Sequence, residues 1–160
     1  MDAEIETYST YIRKQVADVR DALKGLSDEQ LNRAPGVEGS NSAYVIATHI
    51  LGNARAWVLG IACGQPLRRD RPAEFSSQGT YEELRCAACA LSDEIDEALA
   101  ALDPSRLDER LVPSQELWGE GFEPTKISRR EALAHVLEHA SMHLGQIHIT
   151  RDLVVAGGSR

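Results

Sequence analysis

The stretch Ser128-Arg129-Arg130-Glu131-Ala132-Leu133-Ala134-His135-Val136-Leu137-Glu138-His139-Ala140-Ser141-Met142-His143-Leu144-Gly145-Gln146-Ile147-His148 decides how this chain reads. Ser128 followed three residues later by Glu131 is a capping box, which starts a helix. His135, His139 and His143 then recur every fourth residue. Positions four apart lie one above the other on a helix face, so two such imidazoles can chelate one ion. His139 and His143 share their stripe with Val136, Ala140, Ile147 and Thr150, and are therefore expected to point into a packed interior. His148, five residues past His143, rotates off that face and reads as structural. The helix runs to about Val155, where Gly157-Gly158 frays it.

Three more long helices precede it. The first spans about Ala3 to Lys24, with Ile5, Tyr8, Ile12, Val16, Val19 and Leu23 forming one apolar stripe before Gly25. Ser27 with Gln30 caps a short turn before Pro35. The second helix runs from Asn41 or Ser42 to Cys63 and carries Ile46, Ile50, Trp57, Val58 and Ile61. Pro66 to Gly79 reads as a loop. Thr80 with Glu83 starts the third helix, which continues to about Leu102 and buries Leu84, Leu91, Ile95, Leu99 and Leu102. Leu107 to Lys126 holds Pro113, Gly119, Gly121 and Pro124 and is the longest non-helical connection. Almost nothing reads as strand. Four long helices in one 160-residue domain, 1–160, imply an all-α four-helix bundle, and the long connections permit a crossover.

The bulk composition narrows the function. Hydrophobic residues make up 42% and the formal net charge is -8, with no basic block. That disfavours nucleic acid as a partner, because phosphate binding needs clustered Lys and Arg. No apolar run reads as long enough to span a bilayer, and Met1-Asp2-Ala3-Glu4 lacks the features of a signal peptide. Three cysteines, an odd count, argue against a secreted disulfide framework. No membrane association and a cytoplasmic location are the expectations. Cys86 and Cys89 have C-x-x-C spacing in mid-helix without a βαβ context, and read as small apolar residues packed between helices.

The histidine spacing yields a candidate pair, His139 and His143. His49 lies on the second helix between Ile46, Ile50 and Asn53, again on a buried stripe. It reads either as a hydrogen-bonded core histidine or as a third ligand from a facing helix. Three neutral nitrogens would leave an ion with open positions, the pattern of a catalytic site. His135, one turn before His139, is a candidate for orienting a ligand or carrying a proton, or else a surface histidine. Asn53, one turn after His49, is a candidate for orienting a ligand, or else a polar residue in a helix interface. Trp118, Glu120 and Glu123 sit in the long loop with no assigned place.

Three segments together resemble a known family. The run His139 to Ile147 is similar to the His-x-x-x-His-x-Gly-Gln-Ile signature of DinB-like metalloproteins. Ala47-Thr48-His49-Ile50-Leu51-Gly52 resembles the single-histidine helix of that family, and Arg69 to Phe75 resembles the loop that follows it. Where many members have Arg after the last ligand, this chain has Leu144. The resemblance implies a four-helix bundle with a crossover, often a homodimer. It also implies one divalent metal ion, zinc or nickel foremost, on His49, His139 and His143. Some members are S-transferases or isomerases using a low-molecular-weight thiol such as mycothiol or bacillithiol.

A metal held by three neutral imidazoles keeps its full positive charge and acidifies a bound water or thiol. The expectation is a metal-dependent thiol S-transferase acting on a small electrophile. The alternatives are a metal-dependent hydrolase and a non-catalytic metal-binding stress or sensor protein.

Overall fold

In the computed structural model, residues 2–118 and 125–157 are described; Glu120, Glu123 and the Trp118 side chain, singled out above, lie outside them. Helix α1 (Ala3–Ala22) opens on Asp2, whose side chain accepts from the Glu4 amide. The capping box of Ser27 and Gln30 forms and starts the short α2 (Asp28–Asn32). Ser42 caps α3 (Ala43–Ala54), whose backbone continues without a break into a π-helical stretch, Arg55–Ala62. The loop expected between Pro66 and Gly79 contains a short helix, α4 (Arg71–Phe75). Asp70 caps it by accepting from the Ala73 amide, and Pro72 fits in its first turn. Thr80 and Glu83 box the start of α5 (Tyr81–Ala100). The 107–126 connection also holds some order: β1 (Arg110–Leu111) pairs antiparallel with β2 (Ile127–Ser128), and α6 (Gln115–Trp118) lies between them. The last and longest helix is α7 (Arg129–Gly157).

The long helices form an all-α bundle with crossed connectivity. Helix α1 packs on α5 and α7, and α3 with its π-helical continuation packs on α5 and α7 as well. Helices α1 and α3, consecutive long helices in sequence, therefore sit on opposite corners, as do α5 and α7. The crossover that the long connections permit is present. The apolar stripes meet in one core, in which Ile12, Leu23, Ile95, Leu99, Leu133 and Ile147 are fully buried. Each such side chain contributes about 1.5–3 kcal/mol relative to leaving it in water. Arg129, at the start of α7, donates to the Ala62 carbonyl at the end of the π-helical stretch. It also donates to Glu109 at 3.1 Å, tying α7 to the far end of the α3 continuation.

Two expectations are corrected. By length and composition, Ala43–Ala62 is long and apolar enough to cross a membrane, a run the sequence reading overlooked; 83% of its apolar window is buried inside the bundle, where it serves as the central core helix. Cys86 is not packed between helices. It is exposed on the outer face of α5 beside Glu82 and Arg85, and Cys89 is half-buried.

Candidate metal centre between α3 and α7

His49 projects from the buried face of α3 and is 7% exposed. Across from it, His139 and His143 occupy successive turns of α7. One donor nitrogen from each of the three rings lies within 4.8 Å of the other two. The ring centroids are 4.9 Å apart for His49 and His139, 5.1 Å for His49 and His143, and 4.3 Å for His139 and His143. The three residues singled out from the sequence are thus brought together at one point from two helices that are 90 residues apart in the chain.

Two of the three rings are oriented by what their second nitrogen meets. The Nδ1–H of His49 donates to Oε2 of Glu74 at 2.8 Å, which turns Nε2 towards α7. Glu74 comes from α4 and is buried. Arg69 holds it as a fork, donating from Nε to Oε1 at 2.6 Å and from Nη2 to Oε2 at 2.9 Å. Burial pushes the Glu74 carboxyl up, but the hydrogen bonds from His49 and Arg69 outweigh it, and its pKa lies below the usual carboxylate value. The carboxylate is therefore an acceptor, which fixes the His49 tautomer. Close approach of α4 to α3 depends on Gly52. A Cβ at this position would lie 2.3 Å from Oε1 of Glu74.

On α7, the Nδ1 of His143 meets Oε1 of Gln146 at 2.6 Å, which leaves its Nε2 free. Gln146 had no role assigned from sequence. The Nε2 of His139 faces the Nε2 of His49 at 3.1 Å, while its Nδ1 is buried without a partner among the described residues. Burial and, secondarily, the neighbouring imidazoles push the His139 pKa down to about 3. Burial also lowers His143, against the opposing effect of the hydrogen bond it donates to Gln146. These two rings are neutral at pH 7, the form that donates a lone pair to a metal.

The donor set fits a divalent cation. Three imidazole nitrogens converge, two of the rings have their other nitrogen hydrogen-bonded to a carboxylate or an amide oxygen, and Nε2 of His49 faces Nε2 of His139 at hydrogen-bond distance. A carboxylate behind a ligating histidine is the usual supporting arrangement of such sites.

The two further candidates also reach the site. His135 is half-buried and stacks on Trp57, with ring centroids 3.7 Å apart and 29° between planes. Its Nε2 lies 3.4 Å from Nδ2 of Asn53. Burial lowers its pKa. Asn53 is buried, and its Oδ1 has no hydrogen-bond partner among the described residues. His148 is exposed, away from the cluster. A cleft of about 380 Å³ opens over the histidines, bounded by Asn53, Trp57, Phe75, His135 and Arg71. Trp57 belongs to the π-helical stretch, a backbone form frequent at functional sites. Glu74 and Arg69 were missed as functional residues. No spacing rule links a carboxylate in a loop to a histidine 25 residues earlier, and only the family-like segment Arg69 to Phe75 marked the place.

Comparisons with known proteins agree with this architecture. A solved structure described as the conserved protein of a locus from Enterococcus faecalis superposes with a TM-score of 0.69 at 15% identity. The match covers 98% of this chain and 99% of that one, and it is a likeness of fold. No curated protein matches the sequence significantly. Residues 11–147 match the sequence model of the DinB superfamily, and the chain belongs to that superfamily.

Proposed function

We propose that this DinB-superfamily protein holds one divalent ion, zinc or nickel, through His49, His139 and His143, and catalyses transfer of a low-molecular-weight thiol to a small electrophile. The observation that carries the reading is the convergence of three imidazoles within 4.8 Å, with His49 and His143 each oriented through its Nδ1. Bound there, the ion would supply a Lewis acid that favours the thiolate form of a thiol at neutral pH.

The chain's own residues do the rest. Glu74 and Arg69 hold the His49 ring, and Gln146 holds the His143 ring. Trp57 and Phe75 form apolar walls beside the reacting pair. In the transfer, a sulfur lone pair forms a C–S bond and the displaced group departs with its electron pair. His135, kept neutral by burial, stands next to the cluster and can accept the thiol proton. The cleft favours an enzyme over a sensor, because a purely structural metal site is closed by a fourth protein ligand.

The test is metal content by elemental mass spectrometry on the wild type and on His49→Ala, followed by thiol-transfer assays. About one ion per chain is expected, lost in the variant. Absence of metal in both proteins after incubation with zinc and nickel would overturn the proposal. Metal without thiol turnover would leave a non-catalytic metal-binding protein or a hydrolase.

A further inference from the structure

The chain carries 25 acidic residues against 17 basic ones, yet among the described residues no carboxylate lines the cleft over the histidines. Two arginines do. Arg69 is neutralised by the Glu74 fork behind His49. Arg71 is different. Among the described residues its side chain makes no ion pair and no hydrogen bond, and it lies over an aromatic face. The guanidinium carbon lies 5.0 Å from the centroid of the Phe75 ring. That ring lies in turn 5.0 Å from the His49 ring, and it is 39% exposed. Phe75 thus bridges a free cation and the histidine cluster.

A cleft with one uncompensated guanidinium and no carboxylate in its described lining attracts anions. The planar guanidinium fork matches a carboxylate in two parallel hydrogen bonds. A molecule held by its carboxylate at Arg71 would lie along Phe75, with its far end towards His49 and the walls formed by Trp57 and Ile46. We propose that Arg71 and Phe75 form a carboxylate-recognition subsite, so that the small electrophile taken by this cleft is an organic acid with a flat apolar body. This names the substrate class and rests on the cleft being the reaction site.

The test uses benzoate and its neutral analogue benzamide, titrated into the full-length chain by calorimetry and NMR. Wild type, Arg71→Gln and Arg71→Lys are each measured metal-free and zinc-loaded, with melting temperature and zinc content determined on the same samples. The expected result is that wild type binds benzoate at least about tenfold more tightly than benzamide, a gap of about 1.4 kcal/mol. Arg71→Gln should erase the gap and Arg71→Lys should keep part of it, with zinc content unchanged in both. Equal binding of the two ligands by wild type, no benzoate binding, or undiminished discrimination in Arg71→Gln would overturn the subsite. Failure of the metal proposal is read separately. Discrimination by Arg71 in a protein that takes up no zinc removes the ion and leaves the subsite standing, whereas zinc uptake without discrimination does the reverse.

Discussion

Replacing Gly52 with alanine tests whether the support behind His49 is built by close helix approach. Gly52 lies inside α3, with ordinary helical backbone, so alanine alone would stabilise the helix by about 1 kcal/mol. The added Cβ, however, would stand 2.3 Å from Oε1 and 2.8 Å from Cδ of Glu74, well inside contact distance. The obstacle is a carboxylate held by His49 on one side and Arg69 on the other, and both it and Arg69 have side chains less than a tenth exposed. It cannot swing away without leaving those partners. Breaking a buried ion pair of this kind costs about 3–5 kcal/mol. The net expectation is a loss of about 2–4 kcal/mol, or about 4–16 °C in melting temperature for a chain of this length. Gly145→Ala is the matched control. It is also helical, and a Cβ there meets nothing within 4 Å among the described residues, so it should raise stability by about 0.5–1 kcal/mol. The assay is thermal unfolding by circular dichroism, with zinc affinity measured in parallel. Zinc binding should weaken about 10–100-fold in Gly52→Ala as the support of His49 is displaced. A Gly52→Ala protein as stable as Gly145→Ala, binding zinc as wild type does, would refute the reasoning.

Two further outcomes are expected. The metal-free protein should lose stability on acidification. His139 titrates near 6.5 when unfolded and at about 3 when folded, so the unfolded chain binds the extra proton first, and stability present above pH 6.5 drains away as the pH falls towards 3. Melting temperatures of wild type and His139→Gln across that window check this, and parallel slopes would contradict it. Thiol labelling at pH 8 should modify the exposed Cys86 quickly and Cys63 slowly, because burial pushes the Cys63 thiol up to about 11. Peptide mapping of the early product identifies the site, and early modification of Cys63 instead would contradict the placement.

Local periodicity and capping chemistry made the helices legible. Ile5, Ile12, Val16 and Val19 are buried as their spacing requires, and the Ser128–Glu131 capping box forms at the start of α7. The register of His139 and His143 on α7 followed from the four-residue spacing, whereas the resemblance to a family tied His49 to them. Cys86 was legible too, and was misread. Leu84, Ala88, Leu91 and Ile95 define the inward face of α5, and at 100° per residue Cys86 falls about 200° around from Leu84. Other features had no local signature. The π-helical turn that carries Trp57 depends on how the end of α3 packs. The Glu74–Arg69 fork depends on a short helix that Asp70 and Pro72 signalled only weakly, and on a glycine whose reason is visible only once α4 lies against α3.

The diagonal placement of consecutive helices also sets an order of assembly. The most apolar helix, Ala43–Ala62, is covered on one side by α5 and on the other by α7, which is synthesised after both. Until the 29 residues of α7 have left the ribosome, that helix has an uncovered flank, and its contacts must then close a loop of 90 residues. Nascent chains of this protein therefore pass through a stage in which the future histidine cleft is an open hydrophobic surface. Truncation before Arg129 would prolong that stage and leave a species prone to self-association and chaperone capture.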